Sequence, residues 1–274
     1  MKKIIKVLLT YLTIQISVAL VMMIIYIIVN NRDIETLSKD ALLKVSLSAI
    51  VVADLITILY LVMWKLIPLK RNEFFTFFNI PNIFLVTIVT FGSIIIETFI
   101  SQVCQLPNVI EMDIFLDVFG VIGAVILAPI MEEMIFRGIV LKTLLKTHSV
   151  WKSIVVSSLI FGFIHFNPAQ SLTAFIIGLL LGWLYYKTKS LWAPIFVHFL
   201  NNFSSVYLMY EYPQLESQTL VQVSGGYLNL TFVLALSSLL AALGIYILNA
   251  RINAKVRLEI TPDRHDSFNL EQGK

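Results

Sequence analysis

The sequence predicts an all-α fold, a polytopic membrane bundle of about eight transmembrane helices. Three observations predict it: the composition, the length of the apolar runs and the alternation of basic residues along the chain. Of the 274 residues, 58% are hydrophobic and only 14% are charged, whereas soluble domains carry roughly 25% charged residues. This balance excludes a soluble globular domain, and the formal net charge of +3 is too small to indicate a nucleic-acid partner.

Eight apolar runs have lengths near the roughly 20 residues that cross a bilayer. They cover residues 5–29, 42–64, 82–103, 114–133, 152–166, 171–187, 191–209 and 227–249. The first run follows Lys2 and Lys3 without a small-residue cleavage site, so we interpret it as an uncleaved span rather than a signal peptide. We therefore expect one membrane domain over 1–250, with a motif-bearing core at about 114–210, and a polar cytoplasmic tail over 251–274.

Basic residues alternate between the connections and provide an independent test of the eight spans. One side holds 17 of the 20 Lys and Arg residues, within 2–6, 65–71, 137–152, 187–189 and 251–274, while the other holds only Arg32, Lys39 and Lys44. Because connections rich in Lys and Arg stay in the cytoplasm, both termini are expected there. The predicted location is a multi-pass protein of a bacterial cell membrane, with the lipid bilayer as its surroundings.

Three short segments place costly ionisable or polar groups inside apolar runs. They are EEMIFR (132–137), FGFIH (161–165) and HFLNN (198–202). Glu133 and Arg137 have the i, i+4 spacing of a helical ion pair, and Glu132 points about 100° away from Glu133. His198 and Asn202 share one helix face.

A depth estimate suggests that these segments meet inside the membrane. At about 1.5 Å per residue from the basic connections, Glu132, His165 and Asn202 lie roughly 20–24 Å deep, and His198 roughly 14 Å. The value for Glu132 requires the fourth helix to continue to Thr147. We therefore expect one pocket that contains all four side chains and is reached from the cytoplasmic side.

Such a pocket suits the attack of water on a carbonyl group. A carboxylate takes the proton of water, and His and Asn donors hold the oxyanion that forms. The residues equally allow a catalytic metal such as zinc, with Glu132, His165 and His198 as candidate ligands, although the HExxH pattern is absent. Cys104 is the single cysteine, which excludes an internal disulfide and a cysteine-built zinc site.

The three segments resemble the EExxxR, FxxxH and HxxxN motifs of the CPBP family, the CAAX protease and bacteriocin-processing proteins also called the Abi family. Members are intramembrane endopeptidases related to type II CAAX prenyl endopeptidases and are linked in bacteria to peptide maturation and bacteriocin immunity. The resemblance implies that Glu132 and His165 activate water and that His198 and Asn202 form an oxyanion hole. It implies supporting roles for Glu133 and Arg137. Family members have been described both with and without an obligatory metal.

Two other functions are consistent with the same residues. A non-catalytic membrane protein, such as an immunity or peptide-binding partner, would use the cavity to hold a peptide. A proton-coupled transporter would use Glu and His as a relay, but no inverted repeat is visible. The leading hypothesis remains an endopeptidase acting on a membrane-associated peptide or protein, whose identity and prenylation the sequence does not reveal.

Several other features of the spans match no catalytic motif. Pro129, three residues before Glu132, is expected to kink its helix and free backbone groups near the site. The small residues Ala174, Gly178 and Gly182 predict a close helix contact. Asp54, Glu97 and Asp117 are acidic residues in or near the spans, and each either lines a cavity or sits near an interface.

Overall fold

The computed structural model describes residues 2–30, 37–67, 77–107 and 117–260, and within these ranges the regular structure is helical, with no β-strand. The all-α prediction is confirmed. Eight long helices follow one another within the described ranges: α1 Lys2–Asn30, α2 Lys39–Met63, α3 Ile80–Val103, α4 Val118–Leu144, α5 Val150–Phe163, α6 Pro168–Thr188, α7 Trp192–Glu211 and α8 Tyr227–Ile260.

The eight helices occupy the positions of the eight predicted spans, and six of them are long and apolar enough to cross a membrane. The exceptions are α5 and α7. Helix α5 has 14 residues, which reach only about 21 Å. Helix α7 has 20 residues, but its His and Asn side chains lower its hydropathy. The chain is thus an integral membrane protein built as a helix bundle.

One predicted boundary is wrong. The fourth span was expected to end at 133, whereas α4 continues to Leu144. The charge of Arg137 suggested a connection, but Glu133 compensates it inside the helix, and the apolar residues that follow continue the span. Without Arg137, 16 of the other 19 basic residues still lie on one side. Helix α8 continues to Ile260, and 261–274 lie outside the described residues, so the polar cytoplasmic tail from 251 stays a prediction.

Helix α4 lies at the centre of the bundle. Helix α1 packs on α2, α3 on α8 and α5 on α6, while α4 contacts α2, α5 and α7. Its residues from Met131 to Leu141 include much of the fully buried core, such as Met134, Phe136 and Val140 at 0% exposure. Glu133 and Arg137 of the α4 motif are therefore enclosed by neighbouring side chains.

Small residues set the distance between α5 and α6. A Cβ on Gly178 would lie 3.1 Å from the Cβ of Ser158, and one on Gly182 would lie 3.1 Å from Cγ2 of Ile154. The predicted close contact along the small-residue face of α6 is confirmed. On α5, a Cβ on Gly162 would lie 2.6 Å from the backbone oxygen of Ser171, a distance that real Cβ atoms do not adopt.

Replacing Gly162 tests this contact. We expect Gly162→Ala to destabilise the protein by about 1–3 kcal/mol, the usual range for overpacking, because the added methyl group meets backbone that cannot rotate away. Gly123→Ala is the matched control, since its Cβ would lie 3.4 Å from Val51, an ordinary contact. Thermal unfolding in detergent measures both variants, and equal melting temperatures would contradict the prediction.

Candidate active site

Two stretches of π-helix interrupt α4 on either side of the EE pair. The first covers Ile122–Leu127 and the second Phe136–Leu141. In the first, the N–H of Ala128 bonds to the carbonyl of Gly123, five residues back. In the same register the carbonyl of Ala124 would meet residue 129, which is proline and has no N–H. The predicted effect of Pro129, a freed backbone group near the site, is confirmed.

Asn202 on α7 satisfies this freed carbonyl. Its Nδ2 donates to the oxygen of Ala124 at 2.8 Å, and its Oδ1 accepts from Nδ2 of Asn201 at 3.3 Å. A carbonyl oxygen can only accept, so the orientation of the Asn202 amide follows from its partner. One N–H of Asn202 remains beyond these two bonds, and the residue lines the cavity described below.

Glu133 connects Arg137 to His198. Arg137 Nη1 donates to Glu133 Oε1 at 2.7 Å, and His198 Nδ1 donates to the same oxygen at 3.0 Å. Both the Glu133 and the Arg137 side chains are 0% exposed. The carboxylate therefore holds two donors from two helices, and it fixes the His198 ring so that Nε2 faces away from Glu133.

Further contacts hold Arg137 in place. Its Nη2 donates to the backbone oxygen of Gly178 at 3.0 Å, and its guanidinium lies 4.6 Å from the ring centroid of Phe161. Glycine favours this close approach of α6, because a Cβ at 178 would lie 3.1 Å from the Cβ of Ser158 and 3.3 Å from Cδ1 of Phe161. The three contacts use the planar, forked shape of arginine, which lysine cannot reproduce.

The ring of Phe161 lies between the two histidines. Its centroid is 5.2 Å from that of His165 and 5.6 Å from that of His198, both edge-on. Phe161 therefore packs beside the site and contacts both histidines.

Glu132 is the carboxylate that reaches open space. Its Oε2 lies 3.7 Å from Nε2 of His198, and its side chain is 12% exposed, whereas Glu133 is fully buried. The split between the two adjacent glutamates that helix geometry predicted is therefore observed. Glu133 forms the ion pair with Arg137, and the side chain of Glu132 points away from that pair into open space.

His165 follows the end of α5, where the chain turns towards α6. Its Nδ1 donates to the carbonyl of Phe161 at 2.9 Å. Because that carbonyl can only accept, Nδ1 carries a proton, and Nε2 of the neutral ring keeps a lone pair. His165 can accept a proton through Nε2.

One cavity of about 270 Å³ brings together the four residues predicted to be catalytic. Its lining includes Glu132, His165, His198 and Asn202, together with residues of α2, α4, α6 and α7. The predicted convergence of three segments is thus observed in the fold, although the role of each side chain stays a prediction. Glu133 and Arg137 lie outside the lining, behind Glu132 and His198.

The polar face of α7 extends beyond the predicted pair. Asn201 and Ser205 also line the cavity, at three and seven residues from His198. Their helical spacing could have identified them in the sequence. The bond between His198 and Glu133 had no such signal, because the two residues are 65 positions apart.

Asp54, Glu97 and Asp117 do not line this cavity. Asp54 is buried and accepts a hydrogen bond from Nε2 of Gln15 at 2.8 Å, which joins α1 to α2. Glu97 is buried in α3. Asp117 caps the N-terminus of α4 through a bond to the N–H of Phe119.

The candidate metal ligands do not form a ready three-residue set. No group of three or more His, Cys, Asp and Glu side chains within the described ranges has the geometry of a metal site. Glu132 and His198 approach each other, while Nδ1 of His198 is engaged by Glu133 and His165 lies across the ring of Phe161.

Removing the Asn202 amide tests the link between α4 and α7. We expect Asn202→Ala to destabilise the protein by about 1–3 kcal/mol, because the Ala124 carbonyl loses its donor in a water-poor site. Asn201→Ala is the control, since Asn201 makes only the longer bond to Asn202. Thermal unfolding in detergent measures the stability of both variants. A larger loss of stability in Asn201→Ala would show that the Ala124 bond is unimportant.

Comparison with known proteins agrees with this geometry. Residues 114–204 match the family described as type II CAAX prenyl endopeptidase Rce1-like, so the resemblance indicated by the three motifs is confirmed. The chain is also 32% identical over 110 residues to a Bacillus subtilis (strain 168) protein named "Putative membrane peptidase YdiL". The alignment covers 39% of this chain and 45% of that protein. No solved structure matches.

Proposed function

We propose that this protein is an intramembrane endopeptidase that hydrolyses a peptide bond of a membrane-associated peptide or protein. One observation carries the proposal: a partly exposed carboxylate, two histidines and an amide line the same cavity inside the bundle. The match of residues 114–204 to a peptidase family supports it, as does the similarity to a protein named as a membrane peptidase.

In the proposed reaction, Glu132 and His165 activate water. The Glu132 carboxylate takes a proton from water while His165 Nε2 accepts a hydrogen bond from it. The hydroxide forms a bond to the carbonyl carbon, and the tetrahedral oxyanion accepts hydrogen bonds from the remaining N–H of Asn202 and from Nε2–H of protonated His198. Glu132 then delivers its proton to the amide nitrogen, the C–N bond breaks, and a carboxylic acid and an amine are released; the acid then gives its proton to the amine.

Glu133 and Arg137 act in this scheme as positioning residues. Glu133 accepts the Nδ1–H of His198, which orients the ring as the buried aspartate orients the histidine of a serine protease. Arg137 holds that carboxylate through its own bond of 2.7 Å. Neither side chain lines the cavity, so neither contacts the substrate in this scheme.

The lining of the cavity favours cleavage within a chain rather than at its C-terminus. Within the described residues the lining contains no Lys or Arg, the side chains that most often pair with a terminal carboxylate. An internal peptide bond brings no such charge into a site that excludes much of the water. The proposal is therefore an endopeptidase and not a carboxypeptidase.

Comparison of membrane peptides from cells with the wild-type protein and with Glu132→Ala tests the proposal and identifies the substrate. We expect at least one precursor to accumulate and its fragments to disappear in the variant. A cellular function that survives Glu132→Gln, with an unchanged peptide inventory, would instead support the non-catalytic binding protein.

A further inference from the structure

The cavity extends from Glu132 in one direction only. Along α4 its lining continues from Glu132 to Phe119, near the start of that helix, a distance of about 20 Å at 1.5 Å per residue. Along α7 it continues from His198 to Met209, near the end of that helix, about 17 Å by the same rise. Helices α6 and α2 contribute residues near their starts, among them Gln170 and Leu47.

The opposite direction is closed by packed side chains. The next turns of α4 place Glu133, Phe136, Arg137 and Val140 at 0% exposure. Phe161, 1% exposed, lies against the guanidinium of Arg137 and the two histidines. No lining residue lies beyond Glu132 towards Leu144, so this end of α4 forms the floor of the cavity.

The open end of the cavity and the basic connections lie at opposite ends of the bundle. The start of α4, the start of α6 and the end of α7 adjoin the connections 104–117, 164–167 and 212–226, which contain no Lys or Arg. The other ends adjoin the basic residues Lys65, Lys142, Lys146, Lys152, Lys187, Lys189 and Arg251. Exposed Tyr210, Tyr212 and Tyr227 at the open end are typical of a membrane interface.

We propose that the substrate reaches Glu132 from the extracytoplasmic face of the membrane, as the uncharged, extended flank of an exported or membrane-anchored peptide. The proposal rests on the proposed function, and it reverses the sequence-based expectation of access from the cytoplasm. That expectation counted the distance from the basic connections to Glu132. Distance gives depth but does not show which end of the bundle is packed shut.

The walls of the cavity suit a peptide in an extended conformation. On α4 the wall consists of small residues, Gly120, Gly123, Ala124 and Ala128, which let a second backbone approach closely. On α6 and α7 the wall carries the uncharged polar groups of Gln170, Thr173, Asn201 and Ser205. Amide and hydroxyl groups can satisfy the N–H and C=O groups of a peptide that has left its own helix.

Cysteine labelling on intact cells tests the direction of access. Ser205, at the open end, and Ser149, at the basic end, are both exposed, so Ser205→Cys and Ser149→Cys form a matched pair in a Cys104→Ser background. We expect a membrane-impermeant maleimide added outside to label Ser205→Cys before permeabilisation and Ser149→Cys only afterwards. The natural Cys104, exposed after α3, should label from outside without any substitution in the wild-type protein.

The same label tests whether substrate uses this route. A maleimide on Ser205→Cys should remove the Glu132-dependent cleavage of membrane peptides, relative to the same variant before labelling. The extracytoplasmic route would be overturned if the external maleimide labelled Ser149→Cys but neither Ser205→Cys nor Cys104. That result would leave the proposed peptidase function intact. Full cleavage by labelled Ser205→Cys would also overturn the route. An unchanged peptide inventory in Glu132→Ala would instead overturn the peptidase function itself.

Discussion

Glu132→Ala and Glu132→Gln reduce peptide cleavage by about 100-fold or more while the protein remains folded. The expected loss follows from the effect of removing a general base, on the order of 10²–10⁴. Among the described residues Glu132 makes no hydrogen bond that supports the bundle, and its ion-pair contact to Nε2 of His198 is long, at 3.7 Å. Glutamine keeps the shape of the side chain but cannot take a proton from water. Single-turnover cleavage of the identified precursor by purified protein measures the effect.

The matched control for this prediction is Glu97→Gln. Glu97 is another buried glutamate of the membrane domain, but it does not line the cavity, so its loss should leave the cleavage rate within about threefold of wild type, a barrier change of less than about 0.7 kcal/mol. Folded Glu132→Gln protein with wild-type cleavage would exclude Glu132 as the base. Equal losses in both variants would point to a general effect of buried carboxylates on folding.

The features predictable from sequence are those that depend on neighbours along the chain. Apolar runs gave the positions of the eight helices, because membrane thickness sets their length. The i, i+4 spacing of Glu133 and Arg137 predicted a bond that is observed at 2.7 Å. Pro129 predicted a freed carbonyl, because a missing N–H is a local property.

The features that sequence reasoning missed depend on contacts between distant helices. The bond from His198 to Glu133 joins α7 to α4, and no periodicity indicates it. The error in the predicted end of the fourth span has the same origin. An arginine marks a membrane boundary only when it has no buried partners, and Glu133, Gly178 and Phe161 are buried partners of Arg137. The direction of the cavity follows from packing on one side of Glu132, which composition cannot show.

Glu133→Ala is expected to affect folding first and cleavage only as a consequence. It removes the acceptor for Arg137 and for His198 and leaves an uncompensated cation at 0% exposure. Breaking a buried ion pair by deleting one partner costs roughly 3–5 kcal/mol, and His198 loses the bond that orients its ring. Unfolding in mixed micelles measures the free energy of unfolding. The cleavage rate of the folded fraction measures the effect on the candidate active site.

A double variant separates the buried charge from the orientation of His198. Glu133→Ala with Arg137→Met removes both charges, so it should recover stability relative to Glu133→Ala, but not cleavage, because Nδ1 of His198 still lacks its carboxylate. Lys187→Met is a surface control, since within the described part of the chain Lys187 makes only a long, exposed contact of 3.5 Å to Asn253, and it should change stability by about 0.5 kcal/mol or less. Recovery of full cleavage in the double variant would show that Glu133 serves only to neutralise Arg137.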